Sequence, residues 1–210
     1  AAVSPPASEG AAAFRRQLAF REFYADLVAH RPGLARQSLD SRWDRLVLDA
    51  GPDSDRRLAA WQQGTTGYPM VDAGMRQMLA TGWMHNRVRM LTASFLVKDL
   101  HLDWRVGARW FMRCLVDADL ASNSQGWQWV AGAGTDAAPY FRVFNPTTQG
   151  KKFDPDGSYV RRWIPELRDV PRNHVHEPWL DPHGYDHGYP HRIVDHATER
   201  TEALTRWSAT

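Results

Sequence analysis

Apolar residues recur at helical spacing along most of the chain. One helix has clear ends: Pro69 stands at a favoured first position, and Gly82 follows the last apolar residue as a C-terminal cap. No segment alternates apolar and polar residues over the length of a strand. The pattern predicts an all-α fold with long irregular loops, and it places the helices over 11–30, 56–63, 69–81, 84–100, 104–117, 159–168 and, more weakly, 193–207.

The helical pattern stops between residues 120 and 157. Gly, Asn, Ser, Thr and Pro dominate there, interleaved with Trp127, Trp129, Tyr140, Phe141 and Phe144. A long aromatic-rich loop in a compact domain usually lines a site. We therefore predict an irregular segment at 120–157. We also predict that the Ala/Pro/Ser-rich residues 1–10 are disordered or form a linker, so that the domain spans 11–207.

Composition limits the cellular setting. The 210 residues include one cysteine and carry a formal net charge of +2, which excludes an internal disulfide and a cysteine metal cluster. No apolar run is long enough to span a membrane, and the N-terminus has no signal-peptide pattern. The histidines between 174 and 191 lack metal-ligand spacing, which favours loop residues. We expect a cytoplasmic, monomeric protein without a metal.

Two groups of polar residues are candidates for a site. Asn86, Arg89 and Met90 share one face of a predicted helix, and this mixture is atypical of a solvated surface. Asp117 and Asp119 end the next predicted helix, where the helix dipole disfavours carboxylates. Simple solvation is one explanation for these carboxylates. The other is a site, in which they meet either a buried partner such as Arg89 or a ligand that donates hydrogen bonds. We predict that Arg89 and Asp117 form a largely buried salt bridge.

Two basic stretches and ten tryptophans suit nucleic-acid binding. Residues 82–113 hold six basic and two acidic side chains, and residues 142–172 hold seven and four. Basic grooves with aromatic platforms bind nucleic-acid strands through phosphates and stacked bases, although either stretch alone also fits a solvated face. Trp127 and Trp129 are two residues apart, so in irregular chain one can point inward and the other outward.

Taken together, five segments resemble the FAD-binding domain of the DNA photolyase and cryptochrome family. They are 61–73 (WQQGTTGYPMVDA), 81–90 (TGWMHNRVRM), 117–123 (DADLASN), 126–129 (GWQW) and 141–146 (FRVFNP). The resemblance extends over about residues 14–180, and the WMHNR form is most similar to class I cyclobutane-dimer photolyases. It implies a carbon–carbon lyase that repairs pyrimidine dimers in DNA with light and FAD.

The resemblance also implies roles for individual residues. Trp127 and Trp104 would be electron donors, and Asn123 would face the flavin N5. The other implied flavin-pocket residues are Arg21, Arg89, Asp117 and Asp119. The implied lesion pocket comprises Gln17, Phe20, Asn86, Met90 and Trp129, and the implied phosphate contacts are Arg87, Arg142 and Lys152.

The chain departs from the family pattern in three places. Gln17 and Phe20 stand where the family usually has Glu and Trp, and no tryptophan occupies the expected third electron-donor position near residues 48–51. The family's phosphate-binding segment and antenna domain would precede Phe14, so the match is partial on its N-terminal side. Two alternatives follow: a cryptochrome-type blue-light receptor, or a cofactor-free fragment that only binds DNA.

Overall fold

The computed structural model describes residues 8–137, 139 and 142–210. The α-helices in these ranges are α1 (Glu9–His30), α2 (Pro52–Gln63), α3 (Pro69–Thr81), α4 (Asn86–Ser94), α5 (Trp104–Cys114), α6 (Leu120–Ala131), α7 (Pro146–Phe153), α8 (Ser158–Trp163) and α9 (His196–Ser208). A π-helical turn, Phe95–Asp99, continues α4. The described part of the chain contains no strand, which confirms the all-α class. None of its helices is long and apolar enough to cross a membrane.

Helices with strong end signals lie where the sequence predicts them. Helix α3 begins at Pro69 and ends before Gly82, whose φ of 68° is the left-handed conformation that glycine adopts easily. Helix α1 begins at Glu9, two residues earlier than predicted, because the Ser8 side chain accepts a hydrogen bond from the Ala11 N–H. Residues 1–7 of the predicted linker lie outside the described residues.

The prediction of an irregular segment over 120–157 is wrong. It contains α6 and α7, which begin after the capping residues Asp119 and Asn145. Helix α6 is buried on most of its circumference, so its small, polar and aromatic residues show no single apolar stripe. Tyr140 and Phe141, which the sequence analysis singled out, lie outside the described residues.

Two helices organise the packing. Helix α3 contacts α2, α4, α7 and α8, whereas α6 contacts α1, α4 and α5. Trp61 and Trp104 are fully buried in the main core, as is Trp43. Helix α1 differs from the rest because none of its residues is buried, and its apolar Phe14 and Leu18 are exposed. Helix α6 contacts both α1 and α4, and faces of these three helices position the site described below.

Segment 61–73 supports the fold rather than the site. The buried Asp72 carboxylate accepts hydrogen bonds from the Thr66 N–H and hydroxyl at 2.8 and 2.6 Å, and from the Tyr189 hydroxyl at 2.6 Å. Burial raises the pKa of Asp72, so these donors compensate for lost hydration. The Trp61 Nε1–H donates to the Thr92 carbonyl at 3.0 Å. Together these bonds join α2, α3 and α4 to the C-terminal region.

Two of the C-terminal histidines, His176 and His196, are buried. His196 is the first residue of α9, is buried, and pairs with Asp99 of the π-helical turn. His176 is also buried, and its Nε2 lies 2.6 Å from the Asp154 carbonyl oxygen. His176 lies in a turn, as the loop interpretation predicts, and His196 lies within the helix predicted over 193–207. The burial of both was not predicted, because carboxylates and carbonyls distant in sequence provide their partners. These contacts fasten the tail to the helical body.

Candidate functional site

A cleft of about 940 Å³ lies where α1, α4 and α6 approach one another. Pockets for small molecules and cofactors typically measure about 300–1,000 Å³, so this one can take a large ligand. Most of the site residues predicted from the sequence line this cleft. They are Gln17, Phe20, Arg21, Asn86, Arg89, Met90, Asp117, Asp119, Asn123, Trp127 and Trp129. The structure therefore gathers residues that are more than 100 positions apart in sequence.

Helix α4 presents its polar face to this cleft. His85 caps the helix, its Nδ1 accepting from the Arg87 N–H at 3.1 Å. One turn of helix brings the Asn86 Nδ2 to 3.9 Å from the Met90 Sδ. The Arg89 Nε–H donates to the Met84 carbonyl at 2.7 Å, which anchors the guanidinium at the cleft wall. The one-face arrangement predicted from the spacing is thus present.

The Arg89 guanidinium and the Asp117 carboxylate form a salt bridge. One nitrogen, Nη2, lies 2.9 and 3.0 Å from the two carboxylate oxygens. The predicted distance is confirmed, but the prediction of burial is wrong: the side chains are 23% and 50% exposed. Asp117 stands in the turn between α5 and α6, outside any helix. The pair therefore lies at the cleft wall and remains open to a ligand.

Asp119 has a different role from the one its sequence position suggested. Helix α5 ends at Cys114, so the two carboxylates do not sit at its C-terminus. Asp119 instead caps the N-terminus of α6, and its Oδ1 accepts from the Ser122 N–H at 2.8 Å. This bond, with the nearby charge of Arg21, lowers the pKa of Asp119. The helix dipole therefore favours this carboxylate, which corrects the expected penalty.

Trp127 and Trp129 diverge because their backbone is helical, not irregular as predicted. Two residues of an α-helix differ by about 200° around its axis, so the indoles leave α6 in nearly opposite directions. Trp127 is 3% exposed, whereas Trp129 is half-buried. Trp129 lines the cleft with Met90 and Asn86.

An aromatic cluster holds Trp127 in place. Its ring centroid lies 5.0 Å from that of Phe111 and 6.1 Å from that of Trp61, both nearly edge-to-face. Gly107 of α5 allows the indole to lie directly against the backbone, since a Cβ there would be 2.1 Å from Trp127 Cη2. The Trp127 Nε1 is buried and has no hydrogen-bond partner among the described residues.

Asn123 lines the cleft, whereas Trp104 is buried in the core. The Asn123 Nδ2 donates to the Ala108 carbonyl at 3.0 Å, which leaves its carbonyl oxygen as an acceptor at the cleft. Trp104 does not line the cleft: it is 1% exposed, and its Nε1–H donates to the Ser38 hydroxyl at 3.2 Å. Trp104 and Trp127 belong to the same core cluster.

Three predicted phosphate-contact residues also lie outside the cleft lining. Arg87 and Lys152 both lie over the ring of Phe153, and the Arg142 guanidinium lies 5.5 Å from the Phe144 ring centroid. Their separation from the cleft fits a role toward the outer part of a ligand rather than its buried part.

The sequence analysis missed several lining residues. Helix α1 adds Arg16, Phe23 and Tyr24, and burial together with the charge of Asp136 raises the pKa of Tyr24. Thr135 and Asp136 contribute from the turn after α6, where Asp136 has a φ of 47°. Helical spacing from Gln17 and Phe20 could have indicated Tyr24, whereas no sequence signal indicated the turn residues.

A family model described as the FAD binding domain of DNA photolyase matches residues 14–209. The deoxyribodipyrimidine photo-lyase of Escherichia coli strain K12 is 52% identical, across 99% of this chain and 44% of that protein. This chain thus spans less than half the length of such relatives.

Solved structures of similar proteins share the fold. A bacterial class III photolyase from Agrobacterium tumefaciens superposes with a TM-score of 0.90 at 47% identity, over 97% of this chain and 43% of that one. A Synechocystis cryptochrome superposes with a TM-score of 0.84 at 33% identity, over 95% and 42%.

Proposed function

We propose, since this chain belongs to the family of FAD-binding domains of DNA photolyases, that it takes part in light-driven repair of cyclobutane pyrimidine dimers in DNA with FAD as its cofactor. We further propose that it acts in the cytoplasm as a monomer. The proposal is supported above all by one cleft that has both a polar part and an aromatic part. Its polar part holds the Arg89–Asp117 pair and Asn123, and its aromatic part holds Trp129 and Phe20.

The residues present fit a flavin. The cleft volume suits a cofactor, and the buried Trp127 Nε1 is an unsatisfied donor at its wall. The Arg89 guanidinium would face the electron-rich part of the ring system, with Asp117 holding its orientation. The Asn123 carbonyl oxygen would accept a hydrogen bond from a ring N–H. These residues bind and orient the cofactor, and its light-driven electron transfer to the dimer is the chemistry it supplies when bound.

The aromatic part of the cleft suits two adjacent pyrimidines turned out of the duplex. Trp129 and Phe20 offer ring faces, and stacking contributes about 1–3 kcal/mol per base. Asn86 and Gln17 carry amides that can donate to and accept from the pyrimidine edge. Met90 adds a polarizable apolar contact. This set discriminates a flipped dimer from a base that stays within the helix.

The absence of Glu and Trp at positions 17 and 20 favours one second candidate, a cryptochrome-type light receptor. Gln17 cannot hold a negative charge, and Phe20 has a smaller stacking face than Trp. Such a receptor would bind FAD in the same cleft without preferring damaged DNA. A cofactor-free fragment would bind DNA and no flavin.

Two equilibrium titrations of the 210-residue chain test the proposal. The first adds FAD and follows tryptophan fluorescence. We expect saturable binding that Asp117→Asn weakens at least tenfold, whereas Asp55→Asn, at an exposed position on α2, leaves it unchanged. The second compares duplexes with and without one thymine dimer. Tighter binding of the damaged duplex supports repair, equal binding supports the receptor, and failure to bind FAD supports the fragment.

A further inference from the structure

Phe153 is a partly exposed aromatic residue whose ring contacts two cations. It is the last residue of α7 and is 41% exposed. The Arg87 guanidinium carbon lies 4.0 Å from its ring centroid, and the Lys152 Nζ lies 5.3 Å from the same point. Both distances are within the roughly 6 Å range of cation–π attraction. The ring thus connects a cation of α4 to a cation of α7.

Neither cation has a carboxylate partner in the part of the chain that the structure describes. Across residues 8–137, 139 and 142–210, no carboxylate lies within salt-bridge distance of Arg87 or Lys152. The adjacent Lys151 differs, since its Nζ pairs with Glu177. A cation held by a ring face keeps its charge and its remaining N–H donors, whereas a carboxylate partner must first be displaced by a phosphate. The arrangement therefore suits anion binding.

We propose that Phe153 is a positioning residue for DNA binding, which holds Arg87 and Lys152 at a fixed separation for neighbouring phosphates of the backbone. This inference rests on the proposed function. Arg and Lys side chains are long and lose rotamer freedom when they bind. The Phe153 ring restricts both before the DNA arrives, so less freedom is lost on association. Phe153 strengthens binding without contacting a phosphate itself.

Salt dependence separates positioning from direct contact. The slope of log K against log salt reports how many phosphates are neutralised, whereas preorganisation changes the affinity at every salt concentration equally. The experiment measures binding of a duplex containing one thymine dimer by fluorescence anisotropy, over a series of NaCl concentrations. The variants are Phe153→Leu, Phe153→Tyr and Lys152→Ala, with Lys151→Ala as the paired-lysine control on the same helix.

We expect Phe153→Leu to weaken binding about four- to 25-fold, since each of two exposed cation–π contacts corresponds to about two- to fivefold. Its salt slope should equal that of the unmodified chain. Phe153→Tyr should have the same affinity as the unmodified chain, because it keeps an aromatic ring. Lys152→Ala should reduce the salt slope by about one, and Lys151→Ala should change neither the affinity nor the slope. In the Lys152→Ala background, Phe153→Leu should have a smaller effect.

Three results would each overturn the inference: an unchanged affinity in Phe153→Leu, a reduced salt slope in that variant, or an affinity of Phe153→Tyr as low as that of Phe153→Leu. An unmodified chain that shows no salt-dependent binding to the duplex contradicts the proposed function itself, and the inference with it.

Discussion

Replacing Gly107 with alanine perturbs the contact that seats Trp127 at the cleft. A Cβ at position 107 would lie 2.1 Å from Trp127 Cη2 and 2.5 Å from Leu96 Cδ2. The indole must therefore move by about 1 Å or more to regain an ordinary van der Waals separation. It has little room to do so, because Phe111 and Trp61 pack against it.

The expected cost comes from two opposed terms. Overpacking a well-filled core costs about 1–3 kcal/mol. Alanine within a helix is favoured over glycine by about 0.5–1 kcal/mol, which offsets part of that cost. Gly126 is the matched control, since it lies within α6 and a Cβ there would meet no atom within 4 Å. We expect Gly126→Ala to stabilise the chain without ligand, and Gly107→Ala to be about 1–3 kcal/mol less stable than that control.

Urea unfolding followed by circular dichroism gives both free energies of unfolding, provided that the m-values agree. FAD affinity supplies a second readout for Gly107→Ala: because Trp127 lines the cleft, its displacement should weaken binding about tenfold, or about 1.4 kcal/mol. If Gly107→Ala were as stable as Gly126→Ala and bound FAD normally, the described packing of Trp127 against α5 would be wrong.

Three further predictions concern charge and recognition. Trp129→Ala should weaken binding to dimer-containing DNA by about tenfold or more and change the affinity for undamaged DNA little, whereas Arg142→Ala should weaken binding to both. Competition binding measures these affinities, and equal losses on the two DNAs for Trp129→Ala would make Trp129 a packing residue. Arg89→Ala should weaken FAD binding at least tenfold in a fluorescence titration, and an unchanged affinity would remove the Arg89–Asp117 pair from the site. Burial lowers the pKa of Lys98 from 10.5 to about 8. Between pH 8 and 10.5 the unfolded chain therefore binds a proton at this lysine that the folded chain has lost. As pH rises through this range, the free energy of unfolding should increase by up to roughly 3 kcal/mol relative to that of Lys98→Met. Urea unfolding at several pH values measures that difference, and parallel pH profiles would contradict it.

Helix ends with local signals were predictable from sequence. Pro69 and Gly82 bound α3 to the residue, because both act through their own backbone conformations. Helix α6 was missed for the opposite reason: its neighbours α1, α4 and α5 bury most of its sides, so its residues show no helical stripe. Local pattern predicts a half-exposed helix well and a surrounded helix poorly.

Part of the candidate site was likewise predictable from local sequence, and part was not. Helical spacing placed Asn86, Arg89 and Met90 on one face, and the structure has them there. The exposure of Asp117 was not predictable, because it depends on which elements surround the turn between α5 and α6. The role of Asp119 depended on two helix boundaries. Helix α5 ends three residues before the predicted residue 117, and the unpredicted α6 begins directly after Asp119, which reversed the sign of the interaction between Asp119 and the helix dipole.

Light-dependent reversal of a thymine dimer is the most direct test of the proposed function. The 210-residue chain is loaded with FAD, reduced under anaerobic conditions and mixed with an oligonucleotide containing one dimer, and the intact thymines formed are measured by chromatography in blue light and in darkness. We predict repair over several turnovers in light, and none in darkness or without FAD. If the chain binds both FAD and the damaged DNA and still forms no intact thymines in light, the proposed function is contradicted.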